Sequence, residues 1–348
     1  MPNEQLIRDT LAEVMDPELH RNIVELGMVH DIATEGSKVS FTLALTVLAC
    51  PMRNQIQQDA RNRLLALDGV TEVEIALREM TDEEKRAIQQ APEPEGAAAG
   101  YNHIARTLAV VSGKGGVGKS TVSALLAIAM QRKGYRVGLL DADITGPSIP
   151  KMLLQGNRRP LGSDNGILPV TTASGIKIMS INLLLEDPNQ AVIWRGPMIS
   201  GAIQQFYRDV AWGDLDYLIV DLPPGTSDAS LTVMQSIPLD GIVLVTTPQS
   251  LSGMVVRKAA SMAAQLQIPV LGIVENMSYA QCPECGHRIA LFGESKAQEL
   301  ADTIGAPLLG ELPVLPGLAE LADTGALEQA STDAFQPVVD AIVACRPA

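Results

Sequence analysis

The stretch Val110–Thr121, VVSGKGGVGKST, does most to limit how this chain can fold. Gly113 to Ser120 fit G-x-x-x-x-G-K-[ST] in full. The run before them, TLAVVS, is continuously apolar, and the run after them, STVSALLAIAM, carries helical apolar spacing. Strand, glycine loop and helix form the context in which this pattern cradles phosphate. Gly113, Gly115, Gly116 and Gly118 let the backbone reach positive φ, so that N–H groups around Val117 turn toward an anion at the positive end of a helix dipole. Lys119 brings charge to the β- and γ-phosphates, the Ser120 hydroxyl suits Mg²⁺, and Gly113 through Thr121 form the expected nucleotide-binding segment. Lys114 is the anomaly, a long cation where small residues are expected.

From Thr107 onward, further apolar runs alternate with helical stretches: RVGLLDAD, KIMSI, YLIVDLPP, GIVLVTT, PVLGIVENM and PLLGELP. That alternation predicts an α/β domain with a mostly parallel sheet covered by helices on both faces. Asp221 closes one strand, the station of a carboxylate that holds a Mg²⁺-bound water. Asp141 and Asp143 lie just past another strand end, where open α/β sheets put their ligands. The expectation is Asp141 near the metal shell and Asp143 orienting the attacking water, the alternative being that either one caps the next helix.

Residues 1–85 read as a separate, smaller α/β domain. EQLIRDTLAEVM has helical spacing, and KVSFTLALTV puts Val39, Phe41, Leu43, Leu45 and Val47 on one face. A helical pattern over Met52–Leu67 stops at Asp68-Gly69, and Val73, Ile75 and Leu77 mark another strand. After a short charged helix, TDEEKRAIQQ, the stretch APEPEGAAAG lacks any apolar period, which predicts a linker over 86–103 and a nucleotide-binding domain over 104–348.

Forty acidic against 26 basic residues, a formal charge of -14, argue against nucleic acid or an anionic membrane surface as a partner. MPNEQLIRDT has no apolar leader core, and no apolar run is long enough to span a bilayer, so the cytoplasm is the expected address. Four cysteines in 348 residues make no disulfide framework. Cys282 and Cys285 form a C-x-x-C, and two thiolates cannot close a four-coordinate site alone. On residues alone, a cluster shared by a symmetric dimer, a zinc site completed by His287 and another ligand, a redox dithiol and a plain structural pair all stay open.

KGGVGKS resembles the deviant Walker A ATPases, the group that includes nitrogenase iron protein and the cell-division and chromosome-partition ATPases. That resemblance implies that Lys114 reaches across a homodimer interface to the partner's nucleotide, coupling ATP hydrolysis to dimer closure. Together SGKGGVGKST, DADITGPSIP, VIWRGPM, IVDLPPGTSD, VENMS and CPECG resemble the Mrp/ApbC family of iron-sulphur cluster carrier ATPases over residues 105–345. The resemblance implies ATP and Mg²⁺ as ligands and a labile [4Fe-4S] cluster held by Cys282 and Cys285 of two subunits. It further implies Asn276 on the adenine, slow hydrolysis, and transfer to apo iron-sulphur proteins, with scaffold proteins as further partners. His287 then neighbours the cluster rather than ligating it, and Trp194–Met198 match a family stretch whose role does not follow from chemistry. VMDPELHRNIVELGMVHDI, LALTVLACPM and GVTEVEIAL resemble the small domain of SufT-like iron-sulphur assembly proteins, which makes Cys50 a candidate iron or cluster contact. Cys345 has no motif around it. Two other classes compete. A spatial-positioning ATPase needs a basic tail or face that FQPVVDAIVACRPA lacks, and a zinc-stabilised binding module would leave hydrolysis vestigial.

Overall fold

The computed structural model describes residues 3–16, 22–45, 53–81, 84, 98, 100–144, 146–163, 166–185, 196–225 and 228–345. The chain divides into two compact units, Met1–Pro94 and Glu95–Ala348. Val47, Cys50, Trp194 and Arg195 lie outside the described residues, as does most of TDEEKRAIQQ.

In the first unit, α1 (Glu4–Leu11) starts at Asn3, whose Oδ1 accepts the Leu6 N–H at 2.8 Å, and it buries Ile7 and Leu11, one turn apart. Strands β1 (Val29–Glu35) and β2 (Lys38–Leu45) pair antiparallel, and β3 (Glu72–Glu79) pairs parallel to β2. The alternation in β2 is realised, with Val39, Phe41, Leu43 and Leu45 all buried. Across from them α2 (Arg53–Leu65) contributes Ile56, Ala60 and Leu64 at four-residue spacing. Helix α2 ends two residues before the sequence pattern does, where fraying is ordinary, and Met52 lies outside the described residues. Beyond β3, the Arg78 guanidinium forks onto Glu84 at 2.6 and 2.7 Å. That contact, with the Thr81 N–H, holds the Glu84 carboxyl down at about 2.

The second unit is built on a nine-stranded sheet among the described residues. Its strands are β4 (Thr107–Ser112), β5 (Val137–Asp141), β6 (Val170–Thr171), β7 (Lys177–Ser180), β8 (Tyr217–Asp221), β9 (Gly241–Thr246), β10 (Val270–Gln281), β11 (Arg288–Ile289) and β12 (Leu308–Pro313). The order is β11-β10-β9-β4-β8-β5-β7-β6, with β12 also paired to β10. All neighbours run parallel except the short edge pairs β7–β6 and β10–β11.

Burial on both faces explains the unbroken apolar strands. Leu108 and Val110 of β4 pack toward α3 (Lys119–Arg132), while Ala109 and Val111 pack with the opposite layer. Besides α4 (Ile149–Leu153), the described helices are α5 (Gly196–Asp209), α6 (Asp228–Ser236), α7 (Ser250–Gln265), α8 (Ala297–Ile304), α9 (Leu318–Asp323) and α10 (Gln336–Ala344). Helices α3 and α10 cover one face, and α5, α6, α7 and α8 the other. The mostly parallel sheet with helices on both faces is the architecture the sequence pattern predicts. Asp221 sits in register with Val110 on one side and Asp141 on the other, so the glycine loop and both carboxylates emerge at one sheet edge. None of the described helices is long and apolar enough to cross a membrane.

Candidate functional site

The loop from Gly113 to Gly118 links β4 to α3, with Gly116 and Gly118 at φ 81° and 78°. Both angles lie in the left-handed region that glycine alone enters without strain. Gly113 is required by space instead: a Cβ there would lie 2.7 Å from the Val255 Cβ and 2.9 Å from the Val255 carbonyl carbon. Helix α7 therefore presses directly on the loop.

Lys119 opens α3 and is almost wholly buried, with its Nζ 2.7 Å from Asp221 Oδ1. Asp221 is fully buried and also accepts from Ser120 Oγ at 2.5 Å and Ser123 Oγ at 2.7 Å. One carboxylate thus gathers the loop lysine, the loop serine and a serine one helical turn further on. Ser120 Oγ and Asp221 form an all-oxygen donor set, as a hard cation such as Mg²⁺ requires. Val117 is buried, and the Thr121 hydroxyl lies 3.8 Å from the Met152 sulphur.

Asp141 is also fully buried. Its Oδ2 accepts the N–H groups of Ser148 at 3.1 Å and Ile149 at 3.2 Å, and its Oδ1 accepts the Asp143 N–H at 3.2 Å. Burial first, and the neighbouring Asp221 charge second, push the Asp141 carboxyl up to about 8. Two buried carboxyls in adjacent strand positions beside one lysine resist carrying two full negative charges. Asp143 is 9% exposed and closes the turn after β5, its Oδ1 accepting the Gly146 N–H at 3.2 Å.

Lys114 Nζ donates to Gln249 Oε1 at 2.6 Å, just ahead of α7. The Ser112 hydroxyl fixes the Lys114 carbonyl at 3.1 Å. The anomalous lysine is thus held by its own chain at the rim of the site. Asn276, on β10, donates Nδ2 to the Val117 carbonyl at 2.9 Å, which ties that strand to the glycine loop. The next residue, Met277, has φ 55°, uncommon for a side-chain-bearing residue, and the Ser278 hydroxyl donates to the buried Glu275 at 2.6 Å across it.

Past the irregular step at Met277, strand β10 continues to Gln281 and leads into the turn that carries the cysteine pair. Cys282 and Cys285 occupy the tight turn between β10 and β11, closed by Cys282 N–H to the His287 carbonyl and Gly286 N–H to the Cys282 carbonyl, each 2.9 Å. Gly286 takes φ 72° there. Both thiols are free, with Cys285 exposed. The Cys285 N–H, then the Glu284 N–H and the Cys285 side chain, hold the Cys282 thiol below its usual range. A turn that aims backbone N–H groups at a sulphur favours thiolate, the form that binds metal. Among the described residues no three His, Cys, Asp or Glu side chains converge to hold a metal ion, so His287 completes no site with the pair inside one chain. Cys345, near the end of α10, is remote in sequence from both sites.

Residues 103–344 match the family of NUBPL iron-transfer P-loop NTPases. The chain belongs to this family. Residues 4–75 match the iron-sulfur cluster assembly protein family. Among curated relatives, a protein of Synechocystis described as an iron-sulfur cluster carrier protein is 44% identical over 322 residues, spanning 90% of this chain and 88% of the relative. One from Methanocaldococcus jannaschii is 47% identical over 245 residues, 69% of this chain and 84% of its own. A nucleotide-binding protein of Archaeoglobus fulgidus, solved with ADP, is 49% identical with a TM-score of 0.61, covering 67% of this chain and 91% of its own. A cell-division ATPase of Pyrococcus furiosus shares the fold at TM-score 0.52 and 21% identity, covering 69% of this chain and 98% of its own.

In this P-loop NTPase, three contacts escaped sequence reasoning. Ser123 is invisible to the loop pattern, although its place four residues after Lys119 puts it on the same face of α3. Gln249 carries only the weak signal of a polar residue just past an apolar strand. The hydrogen-bonded turn around Cys282 was signalled by Gly286 after the second cysteine, which permits the left-handed step.

Proposed function

We propose that this chain is an ATP-dependent carrier that holds a labile [4Fe-4S] cluster between two copies of itself and passes it to apo-proteins. The observation that carries the reading is the half-site at the end of β10: two thiols on one turn, one of them favoured as thiolate, with no third ligand close by among the described residues. A cluster held by four cysteines then needs a second copy. The relatives' shared description as iron-sulfur cluster carriers supports the same reading.

At the nucleotide end, Gly113 through Thr121 cradle ATP phosphates through backbone N–H groups, and Lys119 leaves Asp221 for the β- and γ-phosphates. Ser120 and Asp221 would hold Mg²⁺, with Asp141 as the neighbouring carboxylate; the ion supplies charge neutralisation on the phosphates. Asp143 orients the attacking water, and Asn276 turns from Val117 to the adenine edge. Lys114 leaves Gln249 and reaches the partner's triphosphate, so hydrolysis is slow until two copies close. Asn276 lies on β10 and Cys282 in the turn that directly follows that strand, six residues on, which links the nucleotide end to the cluster end through one continuous segment. Residues 1–85 serve as an assembly domain joined by a linker over 86–103. The expected setting is the cytoplasm, with recipients and scaffolds rather than nucleic acid or membrane as partners.

Anaerobic reconstitution with iron and sulphide, with and without Cys282→Ala, tests this directly. The expected result is a brown dimer with about two cysteine ligands per copy, and a colourless variant. Cluster content unchanged by the substitution, or tightly held zinc in its place, overturns the assignment.

A further inference from the structure

We propose that Ile289, Leu291 and Phe292 form an apolar collar that seals the cysteine pair against a second copy of this chain. The inference rests on the carrier reading above and adds the surface that shields the cargo. The three side chains are 45%, 51% and 44% exposed, the three exposed large hydrophobics nearest to the cysteines in the chain. They follow Cys285 within seven residues. Arg288 pairs with Gln281 and Ile289 with Ala280, so the collar begins across the β10–β11 ladder from the residue two before Cys282. Leu291 is three residues past Arg288, the ladder residue beside the cysteine turn, a span of at most about 10 Å. The segment is shaped rather than loose. A bridge between Leu291 and Gly293, with Gly293 at φ 92°, closes a tight turn that turns Leu291 and Phe292 outward. Beside them the Arg288 guanidinium stacks over the Tyr279 ring at 4.2 Å, a polar edge to the patch.

The occupant follows from ligand counting. Two thiols make half of a four-sulphur site, and whatever supplies the other half must approach along the same turn, bringing its surroundings into contact with this collar. A second copy brings an identical collar, and an isologous contact sets apolar against apolar around the shared inorganic centre. The patch is small, on the order of 300 Å² per copy against about 800 Å² for a standard stable interface. It cannot hold the dimer without the bridging sulphurs. Its effect falls on access: it keeps water, oxygen and chelators from the cluster while leaving the contact weak enough to open for transfer.

The test uses the full chain reconstituted anaerobically, comparing wild type, Leu291→Ser/Phe292→Ser, Leu291→Met/Phe292→Leu and Cys282→Ala. Cluster lifetime is read as visible absorbance after adding a ferrous chelator, association by sedimentation, and folding by ATP binding. The serine pair is expected to load the cluster, bind ATP as wild type does, and lose the cluster at least tenfold faster with less bridged dimer. The apolar swap should restore the wild-type lifetime. If the serine pair keeps wild-type lifetime and dimer, the collar is refuted while the carrier reading stands. If it slows only transfer to an added apo-protein, the patch docks recipients and the inference is equally wrong. A cluster unaffected by Cys282→Ala removes the carrier reading itself, and the collar with it.

Discussion

Replacing Lys119 with methionine separates what this lysine does for the fold from what it does for nucleotide. Methionine keeps an unbranched stem in the space between the glycine loop and β8, and removes only the charge. Asp221, fully buried, then loses its 2.7 Å cation but keeps the Ser120 and Ser123 hydroxyls. Breaking one side of a buried pair costs about 3–5 kcal/mol, and the two surviving hydroxyls place this case near the lower end, about 3 kcal/mol. For a unit of this size that is a fall in melting temperature of about 6–12 °C, measured by calorimetry without nucleotide. The pH profile makes the argument sharper. Asp141, raised from an ordinary 3.8 to about 8, binds a proton in the folded chain that it gives up when unfolded. Stability therefore falls as pH rises from about 4 and levels off near 8, with a slope of at most about 1.4 kcal/mol per pH unit. Lys119 restrains that rise, so without it the decline should continue past pH 8. A variant that melts within 2 °C of wild type, with the same levelling near pH 8, would refute the view that the lysine neutralises a buried acidic pair.

Ser123→Ala removes a 2.7 Å hydrogen bond to the same carboxylate, and should cost about 1.5–3 kcal/mol of stability in thermal melts while leaving ATP affinity within about threefold, since Ser123 is fully buried. Lys114→Ala should keep ATP binding through Lys119 and lose hydrolysis by about 100-fold or more in a phosphate-release assay, whereas normal turnover would show the lysine has no catalytic part. Asn276→Ala frees the Val117 carbonyl and should raise the ATP dissociation constant about tenfold by calorimetric titration, with reduced preference for ATP over GTP.

What the chain discloses as bare sequence, and what it withholds, divides along contact range. The glycine loop, the strand before it and the helix after it are legible because their chemistry is local: neighbouring residues set the φ angles, the dipole and the lysine's starting point. Asp221 was legible because a strand end is a place, and the fold class fixes which end of the sheet collects ligands. Gln249 was not, because its partner Lys114 is 135 residues away and meets it only through the order that sets β9 beside β4. The Asn276 contact to Val117 spans 159 residues and depends on β10 lying one strand further out. The same order has a mechanical consequence. Because β10 lies beyond β9 and extends past the sheet edge, the strand that touches the glycine loop at Asn276 also carries the cysteine turn, with the left-handed Met277 between them. Met277 interrupts the extended backbone just after the loop contact, with a shift in the pairing register at the same place, and a strained residue there is where a change in that contact most readily alters the strand's course. Any nucleotide that draws Asn276 off Val117 therefore acts first on the base of the segment that ends in Cys282.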